Sequence, residues 1–255
     1  MNPLEFGFLV LAGIGAGLVG SIAGLASLIS YPALLAIGIP PVTANVTNTT
    51  AMVLTGVGSV SASRPELTGQ RSRVLRLAGA SALGGAAGAA LLLSTPTSAF
   101  ERIVPWLIAA AAIALLVSRP PQALAVEGAL EHPEHRDPWW LPLGTFTIAI
   151  YGGYFGAAAG VMMLAMFLLT TGEGLPRGNA LRNVVLGIAN GTAAVGFIVF
   201  SSIAWSAALP LAIGLFAGGR LGPRVVRRAP QTLLRRLIAL AGIGLAIHLG
   251  IQAYT

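Results

Sequence analysis

The chain has 255 residues, is 55% hydrophobic and 9% charged, and carries a net charge of +7 in which all 15 basic residues are arginine; there is no cysteine. Ordinary soluble domains are about 25% charged, so a soluble fold is excluded, and the lack of cysteine excludes disulfides, thiol nucleophiles and thiolate metal sites. The arginines sit between apolar runs and not on a polar domain, which excludes a nucleic-acid module and reads instead as loops at a membrane surface.

The apolar runs are long. Glu5 to Arg64 encloses 58 residues without a charge, Asp137 to Glu173 encloses 35 and Arg182 to Arg220 encloses 37. A bilayer core needs roughly 20 apolar residues per helix, and these runs lack the alternation of a membrane barrel. The N-terminus carries Glu5 where a signal peptide has a basic region, so it is expected to stay in the mature protein. Charge gaps and Pro/Gly punctuation then place the elements in order. A first long segment covers about 4–39, broken by the glycine-rich GIGAGLVGSIAG (13–24) and by Pro32. Helices follow near 41–63, 74–94 and 102–118, then a polar loop, 119–138. A second long segment, 139–172, has its own glycine-rich centre, YGGYFGAAAG (151–160), and is followed by helices near 177–200, 203–219 and 232–252.

The two halves match at a constant offset of 136: Gly20 falls on Gly156, Ala23 on Ala159, Gly24 on Gly160, Pro40 on Pro176 and Ala44 on Ala180, with Thr47 opposite Asn183. The order of features, glycine-rich break, apolar run, Pro turn and polar helix start, marks an internal repeat. Eight single crossings with the N-terminus inside would put six arginines inside and nine outside, against the positive-inside rule. If each long first segment turns back at its glycines, with arms of about 17 residues, fourteen of the fifteen arginines become cytoplasmic and only Arg102 lies outside. Each half is then a broken or re-entrant helical hairpin plus three transmembrane helices. Three crossings is an odd number, so the halves are inverted. The expected fold is an all-α polytopic membrane protein of two inverted repeats, 1–118 and 139–255, joined by a cytoplasmic linker, 119–138, with both termini extracytoplasmic.

The stretch GLVGSIAGLASLISYPALLAIGIPPVTANVTNTT (17–50), with its weaker copy GAAAGVMMLAMFLLTTGEGLPRGNALRNVVLGIAN (156–190), resembles the sulfite exporter family of TauE/SafE type, a group of small bacterial anion permeases of the inner membrane. The resemblance extends over nearly the whole chain in length, segment count and duplication. Two departures stand out: Gly24-Leu25-Ala26-Ser27 replaces a denser glycine run, and Leu168 stands where the first copy has Pro32. The resemblance implies transport of sulfur oxyanions or organosulfonates such as sulfite or sulfoacetate, often outward.

The residues give their own account of the site. Beyond Glu5 at the start of the first, both proposed hairpins lack Asp and Glu, and Glu173 sits at a cytoplasmic edge; a site without carboxylates suits an anion. A helix restarting near Gly24 or Gly160 presents free N–H groups and a positive dipole end, and glycines such as Gly20 and Gly156 let backbone approach a ligand. Ser21 and Ser27 flank the first break, Tyr151 and Tyr154 the second, and their hydroxyls can donate to an oxyanion; the alternatives are bonding to helix carbonyls and interfacial anchoring. Thr47, Asn48 and Thr49 open one following helix, Asn179 and Asn183 the other, and the pair Thr47 and Asn183 is the preferred completion of the site. Arg182, a charge inside a predicted helix, either draws anions to the cytoplasmic mouth or snorkels to the interface. His248 reads as a packing residue, the group Glu131, His132, Glu134 and His135 as a solvated loop and not a metal centre, and the four tryptophans as interfacial. No P-loop is present; no cofactor and no metal are expected. The expected partners are a small anionic substrate and the bilayer, with no nucleic acid; the small-residue stretch ALGGAAGAA (82–90) serves a homodimer face or internal packing. A passive anion channel, a non-transporting scaffold and an intramembrane enzyme are the competing readings.

Overall fold

The computed structural model describes residues 1–131, 137–225 and 231–254. Among the described residues eleven α-helices occur in order: α1 Pro3–Ala23, α2 Ser27–Ala36, α3 Pro41–Ala62, α4 Arg71–Ser94, α5 Thr97–Val117, α6 Pro121–Glu131, α7 Leu141–Tyr154, α8 Ala159–Thr171, α9 Leu175–Phe200, α10 Trp205–Val225 and α11 Gln231–Tyr254. Five of them contain stretches long and apolar enough to cross a membrane by length and composition.

Local chemistry sets the helix ends. Asn2 caps α1 through the Glu5 N–H at 2.8 Å, Glu5 returns a bond to the Asn2 N–H, and Pro3 occupies the first turn, a reciprocal capping box. Gly24 ends α1 with φ +75°, a left-handed conformation that glycine adopts without steric cost. Gly156 does the same after α7 at φ +79°, and Ala158, just before α8, takes φ +64° without being glycine; such strain costs on the order of 1 kcal/mol. Both glycine-rich centres are therefore true breaks. Their arms are not equal, however. α1 has 21 residues and α2 ten, or about 31 and 15 Å, because α1 runs on until the left-handed Gly24 ends it. α7 and α8 have 14 and 13 residues.

The predicted polar loop 119–138 also needs correction, since it contains α6. Its run of helix-forming Ala, Leu and Glu lies against α8, with Leu124 packed on Leu164 and Leu168 and Gly128 against the Leu168 backbone. Residues 132–136, which include His132, Glu134 and His135, fall outside the described residues.

Helices pack in matched combinations. α1 lies on α10, α7 on α4, α3 on α10, α9 on α4, α5 on α11 and α3 on α9. α1 and α10 run parallel at glycine contacts: Gly13 meets Leu211 and Gly214, and Gly17 meets Leu215 and Gly218. α4 and α7 do the same through Gly84 on Phe146 and Gly88 on Ile150 and Tyr154. The ALGGAAGAA stretch is thus used in packing α4 inside the chain, with Gly85 on Gly153 and Ala189. The starts of the three long helices of each half are evenly spaced: Pro41 and Leu175, Arg71 and Trp205, and Thr97 and Gln231 are each 134 positions apart. The gap-free offset of 136 does not describe them, because the two hairpins differ in arm length. At 134, Asn45 pairs with Asn179, Asn48 with Arg182 and Thr49 with Asn183.

Three connections gather on one face. Arg73 bonds Asp137 at 2.7 Å and Glu173 at 2.8 Å, Arg177 bonds Glu173 at 2.5 Å, and Arg76 also reaches Asp137. Gln70 donates to the Arg177 carbonyl. These bonds tie the α3–α4 connection, the start of the α7 segment and the α8–α9 connection together. The end of α3 lies beside α10, Gly58 against the backbone of Phe216 and Arg220. Burial works to raise the Glu173 pKa, but the hydrogen bonds and charges of Arg177 and Arg73 prevail and hold it below the ordinary glutamate range. On the opposite face, Trp106 donates to the Tyr254 hydroxyl at 3.1 Å, and that hydroxyl donates to the Arg102 carbonyl.

Candidate functional site

The two breaks meet. A Cβ added to Gly160 would stand 2.5 Å from the Gly24 Cα, and one added to Gly24 would strike Gly160 and the Arg182 guanidinium. Such an approach of backbone to backbone needs glycine on both sides. α3 and α9 cross beside this contact, again at glycines, with Gly56 against Gly187.

Between the breaks and this crossing lies a cavity of about 50 Å³, lined by both hairpins and by α3 and α9. Gly20, Gly24, Ser27, Gly156 and Gly160 reach it from the hairpins, Thr49 and Thr55 from α3, and Arg182, Asn183 and Asn190 from α9. Among the described residues the lining holds no carboxylate.

Arg182 dominates the site. Its side chain is 1% exposed, so it does not snorkel. Nη2 donates to the Ser21 carbonyl at 2.9 Å and to Asn183 Oδ1 at 2.8 Å, while Nε and Nη1 have no partner, nor does Asn183 Nδ2. Removing a guanidinium from water costs several kcal/mol unless charge or hydrogen bonds compensate. Part of the compensation is the C-terminal end of α1, whose carbonyls carry a partial negative charge. The remaining donors have the charge and directionality that an oxyanion requires. The first turn of α8, at Ala159 and Gly160, adds a positive helix end to the same cavity.

The other sequence-derived candidates divide. Ser27 and Asn48 form a buried pair at 3.3 Å, and the Ser27 hydroxyl also faces Met52 Sδ at 3.2 Å. Ser21 is wholly buried and its hydroxyl donates to the Leu18 carbonyl; its part in the site is its own carbonyl. Thr47 is directed elsewhere, accepting from the Ala204 N–H at 3.1 Å, because a shift of two residues brings Thr49, not Thr47, opposite Asn183. Tyr154 stacks edgewise on Phe100 and offers its carbonyl to Asn45, and Tyr151 donates to the Ala157 carbonyl across the break. His248 is exposed on α11 and bonds Gln252. Trp106, Trp139, Trp140 and Trp205 are all exposed.

Sequence reasoning passed over Asn45. Its Nδ2 donates to the Tyr154 carbonyl at 2.8 Å, while Nδ2 of Asn179 donates to the Ser21 carbonyl at 2.8 Å. Each asparagine caps the broken end of the other half's first helix. The 134 spacing of polar residues carried this signal, hidden by the coincidences at 136.

The sequence pattern that defines the sulfite exporter TauE/SafE family matches residues 9–249. The chain is 30% identical to "Probable membrane transporter protein ORF9" of Sinorhizobium sp, over 98% of this chain and 95% of that one. It is 27% identical to "Probable membrane transporter protein YfcA" of Escherichia coli (strain K12), over 94% of this chain and 87% of that one. It is also 27% identical to a "Probable membrane transporter protein" of Haemophilus influenzae, over 91% and 89%. No solved structure matches the chain.

Proposed function

The chain belongs to the sulfite exporter TauE/SafE family, and from that premise we propose that it is a secondary transporter of small anions, sulfur oxyanions or organosulfonates such as sulfite or sulfoacetate, which bind against Arg182 between the hairpin tips. The observation that carries this reading is the buried, incompletely paired guanidinium in a cavity lined by no carboxylate among the described residues.

The two halves, 1–118 and 139–255, act as inverted repeats. Support comes from the parallel pairs α1–α10 and α7–α4, the common 134 spacing and the reciprocal asparagine caps. The arginine-rich face is cytoplasmic, by the positive-inside rule, and both termini are extracytoplasmic at a bacterial inner membrane. Rocking of one half against the other, hinged at the Gly56–Gly187 crossing, opens the cavity to either face. The membrane potential favours outward movement of an anion by about 2.3 kcal/mol per charge per 100 mV.

Purified protein in liposomes preloaded with unlabelled sulfoacetate is expected to accumulate labelled sulfoacetate transiently above equilibrium, and sulfite in excess is expected to suppress it. Counterflow of this kind requires a saturable carrier. Linear, unsaturable flux would indicate a channel instead, and no flux of either anion would reject the reading.

A further inference from the structure

We propose that the first half of the protein holds a sodium ion where the second half holds the Arg182 guanidinium. Arg182 and Asn179 together answer the Ser21 carbonyl at the broken end of α1. One spacing of 134 earlier, Asn45 answers the Tyr154 carbonyl at the broken end of α7, but the place of Arg182 is taken by Asn48. A half-charge of negative helix dipole stands at each broken end. At α1 a fixed cation meets it; at α7 the residue in the corresponding place is neutral.

The side chains there are acceptors in need of a cation. Donation to a carbonyl fixes the Asn45 amide, so its other atom is an oxygen, and that oxygen is buried without a partner. Asn48 donates to the Ser27 hydroxyl and its Oδ1 is likewise unpartnered. The two residues are 0% and 1% exposed, and their i, i+3 spacing puts them on one face of α3. The two unpartnered amide oxygens, with the Ser27 hydroxyl beside Asn48, make a neutral, all-oxygen set. Such a set suits a hard monovalent ion; calcium and magnesium sites draw on carboxylates. Unwound segments and half-helix C-terminal ends of transporters coordinate sodium in this manner. Ser27 also lines the Arg182 cavity, so it connects the ion to the anion. The coupling role rests on the reading of that cavity as an anion site, whereas the ion site rests on the asparagines.

The test is thermal unfolding of the purified full-length protein in NaCl, KCl or choline chloride at equal ionic strength, with and without sulfoacetate. Sodium alone is expected to stabilise in a saturable manner and to tighten the response to sulfoacetate at least fivefold. Asn48→Ala is expected to raise the sodium needed for half the response at least tenfold. Asn48→Arg, which copies the second half, is expected to make the sulfoacetate response independent of sodium. Asn45→Asp keeps the acceptor if Asn45→Ala fails to fold, and is expected to retain or strengthen the sodium response. Identical unfolding in all three salts while sulfoacetate still stabilises, a response to potassium alone, or an unchanged sodium response in Asn48→Ala overturns the ion site. Loss of the sulfoacetate response in every salt, with sodium stabilisation intact, overturns the anion reading instead.

Discussion

Replacing Arg182 with methionine is expected to abolish anion binding and transport while leaving the ligand-free protein at least as stable as the wild type. The guanidinium is buried, and two of its nitrogens have no partner. It is therefore held at a cost, and well-packed apolar replacements of buried charges are often neutral or stabilising by about 1–4 kcal/mol. Methionine is of comparable length and fills irregular space; the Ser21 carbonyl keeps Asn179 as a partner. For a bound anion the balance is reversed. Truncating one partner of a buried, hydrogen-bonded charge pair costs about 2–5 kcal/mol, or roughly 30- to 5,000-fold in affinity. Arg182→Lys keeps the charge but not the planar fork, and an intermediate loss of roughly tenfold or more is expected. Titration calorimetry with sulfoacetate, paired with thermal unfolding, separates the two effects. Lower stability with unchanged affinity would make Arg182 a structural residue.

Gly160→Ala is expected to stop transport without stopping membrane insertion. The added Cβ would lie 2.5 Å from the Gly24 Cα and 2.7 Å from its carbonyl oxygen. These are backbone atoms, so no rotamer change relieves the clash, and the hairpin tips must separate. Overpacking of this kind costs about 1–3 kcal/mol, and displacement of the tips takes the Gly24 loop away from Arg182. Gly160→Leu enlarges the effect, and Ser27→Leu intrudes on the cavity from the other hairpin. Insertion is governed by apolar length, which all three retain or raise. Gly15→Ala is the control: nothing lies within 4 Å of its added Cβ, and a helical Gly to Ala change is expected to stabilise by up to about 1 kcal/mol. Counterflow and membrane-fraction yield distinguish the variants. Wild-type flux in Gly160→Ala would mean that the tip contact is dispensable.

Much of this architecture is legible in the sequence because it follows from composition. Apolar runs bounded by arginines give the spans, Pro41 and Pro142 sit in first turns, and the glycine-rich centres break where φ turns positive. The alternation of arginine-rich and arginine-poor connections separates the two faces, and the Arg73–Asp137–Glu173–Arg177 cluster brings three of the predicted cytoplasmic loops together. Register was less legible. Gly and Ala are so frequent that an offset of 136 scores several identities, whereas the 134 spacing of the helix starts is carried by two asparagines whose partners are carbonyls of the other half. A carbonyl leaves no trace in residue identity. The sequence left the direction of Arg182 open between mouth and interface for a related reason: position near a helix start does not reveal whether a long side chain turns outward to water or inward to a cavity.

The absence of native cysteine permits the most direct test of an anion site between the hairpin tips. Asn190 lines the cavity, and Asn190→Cys can be modified there with methanethiosulfonates of opposite charge. Reaction with the sulfonatoethyl reagent is expected to outpace that with the trimethylammonium reagent by at least tenfold, and sulfoacetate is expected to protect. Equal rates for the two charges, or preference for the cation, without protection by any anion, would contradict the account.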